Sequence, residues 1–337
     1  MPSATTSSAN LLGAAERVRP ITSAAVGRQG WRLTRRRLRA ALGVLWIAAG
    51  ALQLQPFMFS KGLALDVVAP QAAAGQPPFV AGPVRVFVQV VSTHPAIFNW
   101  LFAPLELAVG VGLVSLARPR AARWVSGIAV ALALGIWWLG EGMGGVLSGA
   151  TAASMGAPGA ALLYAVLGVA AWPTTSGADR PARWLRGAWL AVWGCCAALS
   201  ALPAQASPYG LADQLAMGSM MSPGILARPE LALAERVSQL STLAAAGIAC
   251  GVVAVQAVIA VGGLANGRTR NVAVVFAMAF AIATWVLCQG FGGITTGEAT
   301  DVATAPLLAL FTVALLSTEQ RPLARGQVIS SSFSRTA

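Results

Sequence analysis

Charged residues make up only 10% of this 337-residue chain, and the side chains of metal and redox chemistry are nearly missing. His94 is the single histidine, so the bis-histidine ligation of a membrane b-type haem cannot be assembled, and no Cys-x-x-Cys-His exists for a covalent haem. The four cysteines, Cys195, Cys196, Cys250 and Cys288, form no Cys-x-x-Cys pair. All four lie in apolar runs, which speaks against dithiol exchange and zinc and leaves them as small packing residues. HExxH, GxSxG and Walker sequences do not occur. The segment GEGMGG at 140–145 is not a phosphate loop, because it follows an apolar helix rather than a strand and lacks the required Lys and Ser/Thr.

In place of charge there is hydrocarbon. Apolar residues reach 56% and mean hydropathy is +0.69. A soluble domain of this length would lack the polar residues to cover its surface, so the chain reads as an all-α polytopic membrane protein. Runs long enough to cross about 30 Å of hydrocarbon fall near 38–57, 96–117, 122–141, 157–173, 184–204, 239–263, 270–290 and 302–317, the fourth and eighth being short.

Basic residues alternate with these runs. All of the 23 except Lys61, Arg85, Arg228 and Arg236 lie in the leading tail, in alternate connections or in the trailing tail. The positive-inside bias therefore predicts both termini in the cytoplasm of a multi-pass cell-membrane protein. The net charge of +12 does not point to nucleic acid, since RLTRRRLR at 32–39 abuts the first span and reads as an anchor to anionic lipid. The bilayer is the partner that composition implies. The Ser/Ala/Thr-rich start reads as a disordered tail and not as a cleavable signal.

The chain repeats itself. WWLGEGMGGVLSG from Trp137 returns as WVLCQGFGGITTG from Trp285, which places Gly142, Gly144, Gly145 and Gly149 opposite Gly290, Gly292, Gly293 and Gly297 at an offset of 148. Pro158 and Pro306 follow at the same offset, Trp46 and Pro56 match Trp193 and Pro203, and Gly62-Leu63-Ala64 matches Gly210-Leu211-Ala212. The implied layout is a basic tail at 1–37, a four-helix membrane repeat at 38–173, a linker at 174–183, a second repeat at 184–317 and a tail at 318–337. Four spans per repeat make the copies parallel, with their pseudo-axis along the membrane normal. The first loop of each copy is long, and VRVFVQVVSTHPAIF within it is a plausible interfacial helix.

The acids are not repeated: Glu141 faces Gln289, and Glu106 faces Gln256 at an offset of 150. Glu106 lies about ten residues into its span, where an ionised carboxylate is expensive. It reads either as a proton or headgroup ligand or as a hydrogen-bonding link between helices, the role left to Gln256. Glu141 sits in the Gly-rich segment. The glycines suggest either close helix packing at Gly140/Gly144 and Gly145/Gly149 spacing, or a re-entrant loop lining a cavity. A loop that dips inward would let Glu106 and Glu141 meet. Trp137 and Trp138 fit a quinone-type pocket wall or an interfacial aromatic belt. His94 and Asn99, with Gln89, are candidates for a polar cluster at the start of the second span. Asp66 and Asp213 occupy equivalent loops without a supporting motif.

One resemblance can be placed on these residues. LGVLWIAAGALQLQP in the first span, Glu106 in LELAVGVGLVSL, the basic turn RPRAAR and the apolar span that follows resemble the DoxX-like four-helix membrane proteins over about 38–138. GEGMGG and the tandem duplication are not part of that pattern. The resemblance implies a four-helix bundle and, for named members, association with quinol-linked oxidation or thiosulfate oxidation complexes. Together with the poverty of catalytic groups it implies a non-catalytic subunit or assembly partner of a membrane-associated oxidoreductase. Two alternatives stay open: a quinone-interacting subunit using Glu106 and Glu141 for protons, and a small-solute or ion transporter with its path between the repeats. No cofactor is required beyond that optional quinone.

Overall fold

The computed structural model describes residues 33–72, 75–149, 151–174, 181 and 184–318. Most of the two tails and of the 174–183 linker lies outside these residues. Among the described residues the chain is helical without strands. The long helices are α1 (Arg35–Leu52), α2 (Pro78–Thr93), α3 (Pro95–Ser115), α4 (Pro119–Gly135), α5 (Ala160–Ala170), α6 (Leu185–Ser200), α7 (Pro208–Met221), α8 (Gly224–Ser238), α9 (Thr242–Gly262), α10 (Arg268–Leu287) and α11 (Thr304–Leu316). Helix α1 begins inside the expected tail, because the Thr34 side chain accepts from the Arg37 N–H and caps it.

Four helices are long and apolar enough to cross a membrane: Pro95–Ser115, Pro119–Gly140, Thr242–Gly262 and Arg268–Leu287. Their outward faces are apolar, with Trp100, Leu101, Ile128, Val258, Val275 and Ile282 exposed, so hydrocarbon rather than water suits them. The other expected spans are helical but short. Helix α5 has 11 residues and α11 has 13, or about 16 and 20 Å of rise. Both are buried at the centre against α1 and α6, where Trp46 meets Tyr164 and Trp189 meets Phe311. Neighbouring helices, not their own length, give them an apolar setting.

One end of the bundle is basic. Arg35 donates to the Trp172 carbonyl, Arg123 to that of Pro173, and Arg39 to those of Leu113 and Leu116. Arg39 thus meets the last carbonyls of α3, and Arg35 and Arg123 meet carbonyls just beyond the end of α5, places where the helix dipole favours positive charge. The Leu33 N–H donates to Ser317 Oγ, which brings the end of α11 to the same face.

The opposite end carries the connections. The interfacial segment expected around 84–98 is broken at His94, where α2 stops and α3 starts. The corresponding stretch of the second half holds two helices, α7 and α8, packed on each other. Their mixed polarity hid them from a search for apolar runs.

Candidate functional site

Helices α1 and α3 approach closely because glycines line their contact. A Cβ on Gly43 would meet the Gly110 carbonyl at 2.7 Å, and one on Gly50 would meet the Leu107 nitrogen at 2.9 Å. This contact leaves Glu106 buried at 3% exposure beside α1. Nearer the end of the bundle opposite the basic face, Asn99 Nδ2 donates to the Gln53 carbonyl at 2.6 Å.

The glycine-rich segments build one unusual turn twice. Gly142, Met143, Gly144 and Gly145 have φ between 53° and 66°, and Gly290, Phe291, Gly292 and Gly293 have φ between 48° and 73°. Four consecutive left-handed residues explain the spacing, since glycine adopts that region without a Cβ penalty. Helix-packing glycines at four-residue spacing are therefore not what the motif encodes. Trp137 Nε1 donates to the Pro158 carbonyl at 2.8 Å, and Trp285 Nε1 to the Val302 carbonyl at 3.1 Å.

Each turn then caps the short helix that follows. Helix α5 starts at Gly159 without a side-chain cap of its own, and Glu141 Oε1 accepts from the Ala161 N–H at 3.0 Å. Gln289 Oε1 accepts from the Ala305 N–H of α11 at 3.3 Å. These bonds correct the register read from the sequence. Pro158 pairs with Val302 and Ala161 with Ala305, an offset of 144 rather than 148, because the second loop is four residues shorter. Pro306 lies inside α11 and is not the counterpart of Pro158.

The loops after the two turns are exchanged between the halves. The 149–156 loop lies against amides of the second half: Gln205 Nε2 donates to the Gly149 carbonyl, Gln289 Nε2 to that of Ser154, and Ser154 Oγ to Gln214 Oε1. Conversely, Gln53 Nε2 donates to the Thr300 carbonyl at 3.4 Å, and Gly297 lies beside Gln55. This second contact delivers Asp301. Its carboxylate is near enough to Glu106, Glu141 and the Tyr164 hydroxyl to act on each electrostatically. Asp301 Oδ1 accepts from the Ala303 N–H at 2.8 Å, yet burial pushes its carboxyl above the ordinary range.

The Asp301 carboxyl of the second half is thus an electrostatic neighbour of Glu106, Glu141 and the Tyr164 hydroxyl of the first; Glu106 and Tyr164 are buried, while Glu141 and Asp301 are half-buried. Glu106 Oε2, Glu141 Oε2, Asn99 Oδ1, Gln53 Oε1 and the Tyr164 hydroxyl are buried without a hydrogen-bond partner among the described residues. Such groups are costly unless something further satisfies them. Among the described residues no three His, Cys, Asp or Glu side chains come close enough to share a metal ion. The carboxyls are thus electrostatic neighbours rather than co-ligands, an arrangement suited to holding and moving protons.

The structure places the other candidates apart. His94 and Gln89 are exposed, while Asn99 turns inward to Gln53, so these three form no cluster. Trp137 is held on the Pro158 carbonyl; Trp138 is exposed and donates to the Phe79 carbonyl at 3.3 Å, so the pair does not wall one pocket. Gln256 is fully buried with its amide unpartnered, and Gln289 has both amide groups bonded. Asp301, Tyr164 and Gln53 were missing from the sequence-based site. A signal existed for two of them: Tyr164 is one of two tyrosines in the chain, and Asp301 stands where the other copy has Ala153 at the sequence offset. Comparison with protein-family models, curated proteins and solved structures finds no match.

Proposed function

We propose that this chain is an eight-span membrane protein of two parallel four-span repeats, with both termini cytoplasmic, that binds and passes protons at a carboxyl cluster at the junction of the repeats. Glu106 and Glu141 of the first repeat and Asp301 of the second form the site. Of the classes open from sequence, a path between the repeats is favoured by one observation: the third carboxyl arrives from the other half through the exchanged loop. A purely scaffolding subunit gives no reason for three acids, one buried and two half-buried, to lie within electrostatic reach of one another near an unpartnered phenol. The basic end fits the cytoplasmic face, and the matching turns and caps support the repeat.

Infrared difference spectra between acid and alkaline pH, recorded on the protein in lipid nanodiscs, test this reading. The wild type should show carboxyl bands that change with pH, that of Asp301 above the ordinary carboxylate range. Glu106→Gln, Glu141→Gln and Asp301→Asn should each remove one band and displace the others, because interacting groups titrate as a unit. Bands of the two glutamates unaffected by Asp301→Asn would refute a shared site.

A further inference from the structure

The buried side-chain atoms left without a partner differ in kind between the two halves. Among the described residues every such atom of the first half is an oxygen, whereas those of the second include the nitrogens of Trp193 and Gln256. Three of the oxygens belong to deeply buried side chains where α1 meets α3: Gln53 at 4% exposure, Asn99 at 0% and Glu106 at 3%. The amide nitrogens are already engaged. Asn99 Nδ2 donates to the Gln53 main-chain carbonyl at 2.6 Å and Gln53 Nε2 to the Thr300 carbonyl at 3.4 Å, which leaves each amide's oxygen as its free end. Glu106 joins them through the close approach of the helices: a Cβ on Gly50, one turn before Gln53, would meet the Glu106 Cβ at 3.1 Å. Asn99 and Glu106 are seven residues apart on one face of α3, with the small, fully buried Ala103 between them. The rise between them is about 10 Å, and the side chains of Glu106 and Gln53 are long enough to span it from two helices. The Cα–Cβ bond of Glu106 tilts toward the N-terminus of α3, and so toward Asn99. Helix α1 ends here with no basic residue in its last turn, so the negative end of its dipole has no cation of its own.

We propose that Gln53 Oε1, Asn99 Oδ1 and Glu106 Oε2 bind a monovalent alkali cation at the end of α1. The site shares Glu106 with the proton site proposed above but needs neither Glu141 nor Asp301, so the separation of the three carboxyls does not bear on it. Ligands that are all oxygen, with no imidazole or thiolate among them, suit a hard cation. One carboxylate and two neutral amides carry a single negative charge, which a monovalent ion cancels. A divalent ion would leave net charge in a buried place, at a high cost. A water molecule has two protons for three acceptors and would leave the carboxylate charge uncompensated. Helix C-terminal ends are a recurring place for sodium in transport proteins. The second half closes this one: the exchanged loop holds the Gln53 side chain on the Thr300 carbonyl, and a Cβ on its Gly297 would lie 3.8 Å from Gln55 Oε1, a further buried oxygen without a partner. The second half has no equivalent site. At the offset that relates Trp46 to Trp193, Gln53 becomes Ser200; at the offset that relates Glu106 to Gln256, Asn99 becomes Ala249. An oxygen ligand and the charge are both missing there.

The test is binding of radioactive sodium to the purified full-length chain in lipid nanodiscs, by equilibrium dialysis with choline chloride holding the ionic strength constant and with potassium, magnesium and calcium as competitors. The wild type should bind about one sodium per chain, saturably, and potassium should compete. Glu106→Gln should weaken binding by about 100-fold or more, because it removes the only charge among the ligands while keeping shape and an oxygen. The amide at the equivalent Gln256 shows that such a side chain can be buried at this position in a repeat. Should the variant nevertheless fail to fold, Asn99→Ala, which copies Ala249, carries the same expectation. Absence of saturable sodium or potassium binding, undiminished binding in the folded variant, or displacement by magnesium or calcium but not by potassium would overturn the proposal. The infrared bands separate this outcome from the proton reading: carboxyl bands that change with pH in a chain that binds no sodium leave the proton site standing, and sodium binding without such bands leaves the cation site standing alone.

Discussion

The two left-handed turns share a backbone but not their surroundings, and a matched pair of alanine substitutions turns that difference into a measurement. Gly144 and Gly292 have φ of 65° and 73°, so an alanine at either pays the same left-handed penalty of about 1–2 kcal/mol. The added methyl then meets different neighbours. At Gly292 the nearest atoms are Val302 C at 2.9 Å, with Ala303 N and the Val302 carbonyl oxygen at 3.1 Å, a milder clash but one with backbone that must move to relieve it. At Gly144 the methyl would overlap the Pro158 carbonyl itself. That carbonyl accepts from Trp137 Nε1, so moving it away breaks a hydrogen bond and strands a buried acceptor at about 1–3 kcal/mol more. Gly144→Ala should therefore destabilise by about 2–5 kcal/mol, and Gly292→Ala by more than the left-handed penalty of about 1–2 kcal/mol but less than Gly144→Ala. Reversible unfolding in mixed detergent micelles, followed by far-UV circular dichroism, gives both values. Gly292→Ala costing as much as Gly144→Ala, or both lying within error of wild type, would refute the assignment of these glycines to backbone conformation.

The cap residues make a second pair. Glu141→Gln keeps an oxygen for the Ala161 N–H, as Gln289 does for Ala305, and should change stability by under about 1 kcal/mol. Gln289→Glu instead sets a second acceptor against the Ser154 carbonyl, now 3.1 Å from Nε2, and should cost about 1–3 kcal/mol; equal tolerance of the two exchanges in the same unfolding assay would contradict the caps. A third prediction concerns pH. Burial raises the Asp301 carboxyl above its unfolded value, so the folded protein holds that proton more tightly, and the destabilisation is absent below the ordinary carboxylate range and grows as pH rises toward the folded value. Asp301→Asn retains an acceptor for the Ala303 N–H and should be more stable than wild type above that window, with the difference vanishing in acid; a difference of constant size across thermal scans at several pH values would contradict it.

Much of the helical framework is readable from apolar runs, because a helix that meets hydrocarbon must be apolar along its length. All eight expected segments overlap helices, and four of them have the length to cross a membrane. Helices α7 and α8 were not readable that way, since residues such as Gln214, Asp213, Glu230 and Glu235 break the apolar run without stopping a helix. The glycine spacing was visible, but its meaning was not. Small-residue helix contacts and left-handed turns both select glycine, and Met143 and Phe291 occupy a region of φ that side chains normally avoid. Glu106 and Glu141 could be singled out because an acid in an apolar run is conspicuous. Asp301 could not be joined to them, because local pattern carries no information on which half a loop will cover. A four-residue contraction also moved the register between turn and helix, which an offset taken from the turn alone carries past Val302 to Pro306.

The exchanged loops change what the asymmetry of the acids implies. Gln289 satisfies its surroundings completely, accepting from Ala305 and donating to Ser154, so an amide is the better scaffold at this position. Glu141 performs the same cap with one oxygen and leaves the other buried and unpartnered. If capping were the whole requirement, the glutamate would be the inferior choice on grounds of polar satisfaction alone. Its disadvantage coincides with three other departures from the second half: Glu106 in place of Gln256, Tyr164 in place of Leu308, and an acid on the loop that covers the site where the reciprocal loop brings Ser154. Each substitution adds a proton-bearing group to one end of one half, and the last comes from the other half's chain segment. The first half alone would lack Asp301, and the exchanged loop is the means by which the second half brings that carboxyl to the other two.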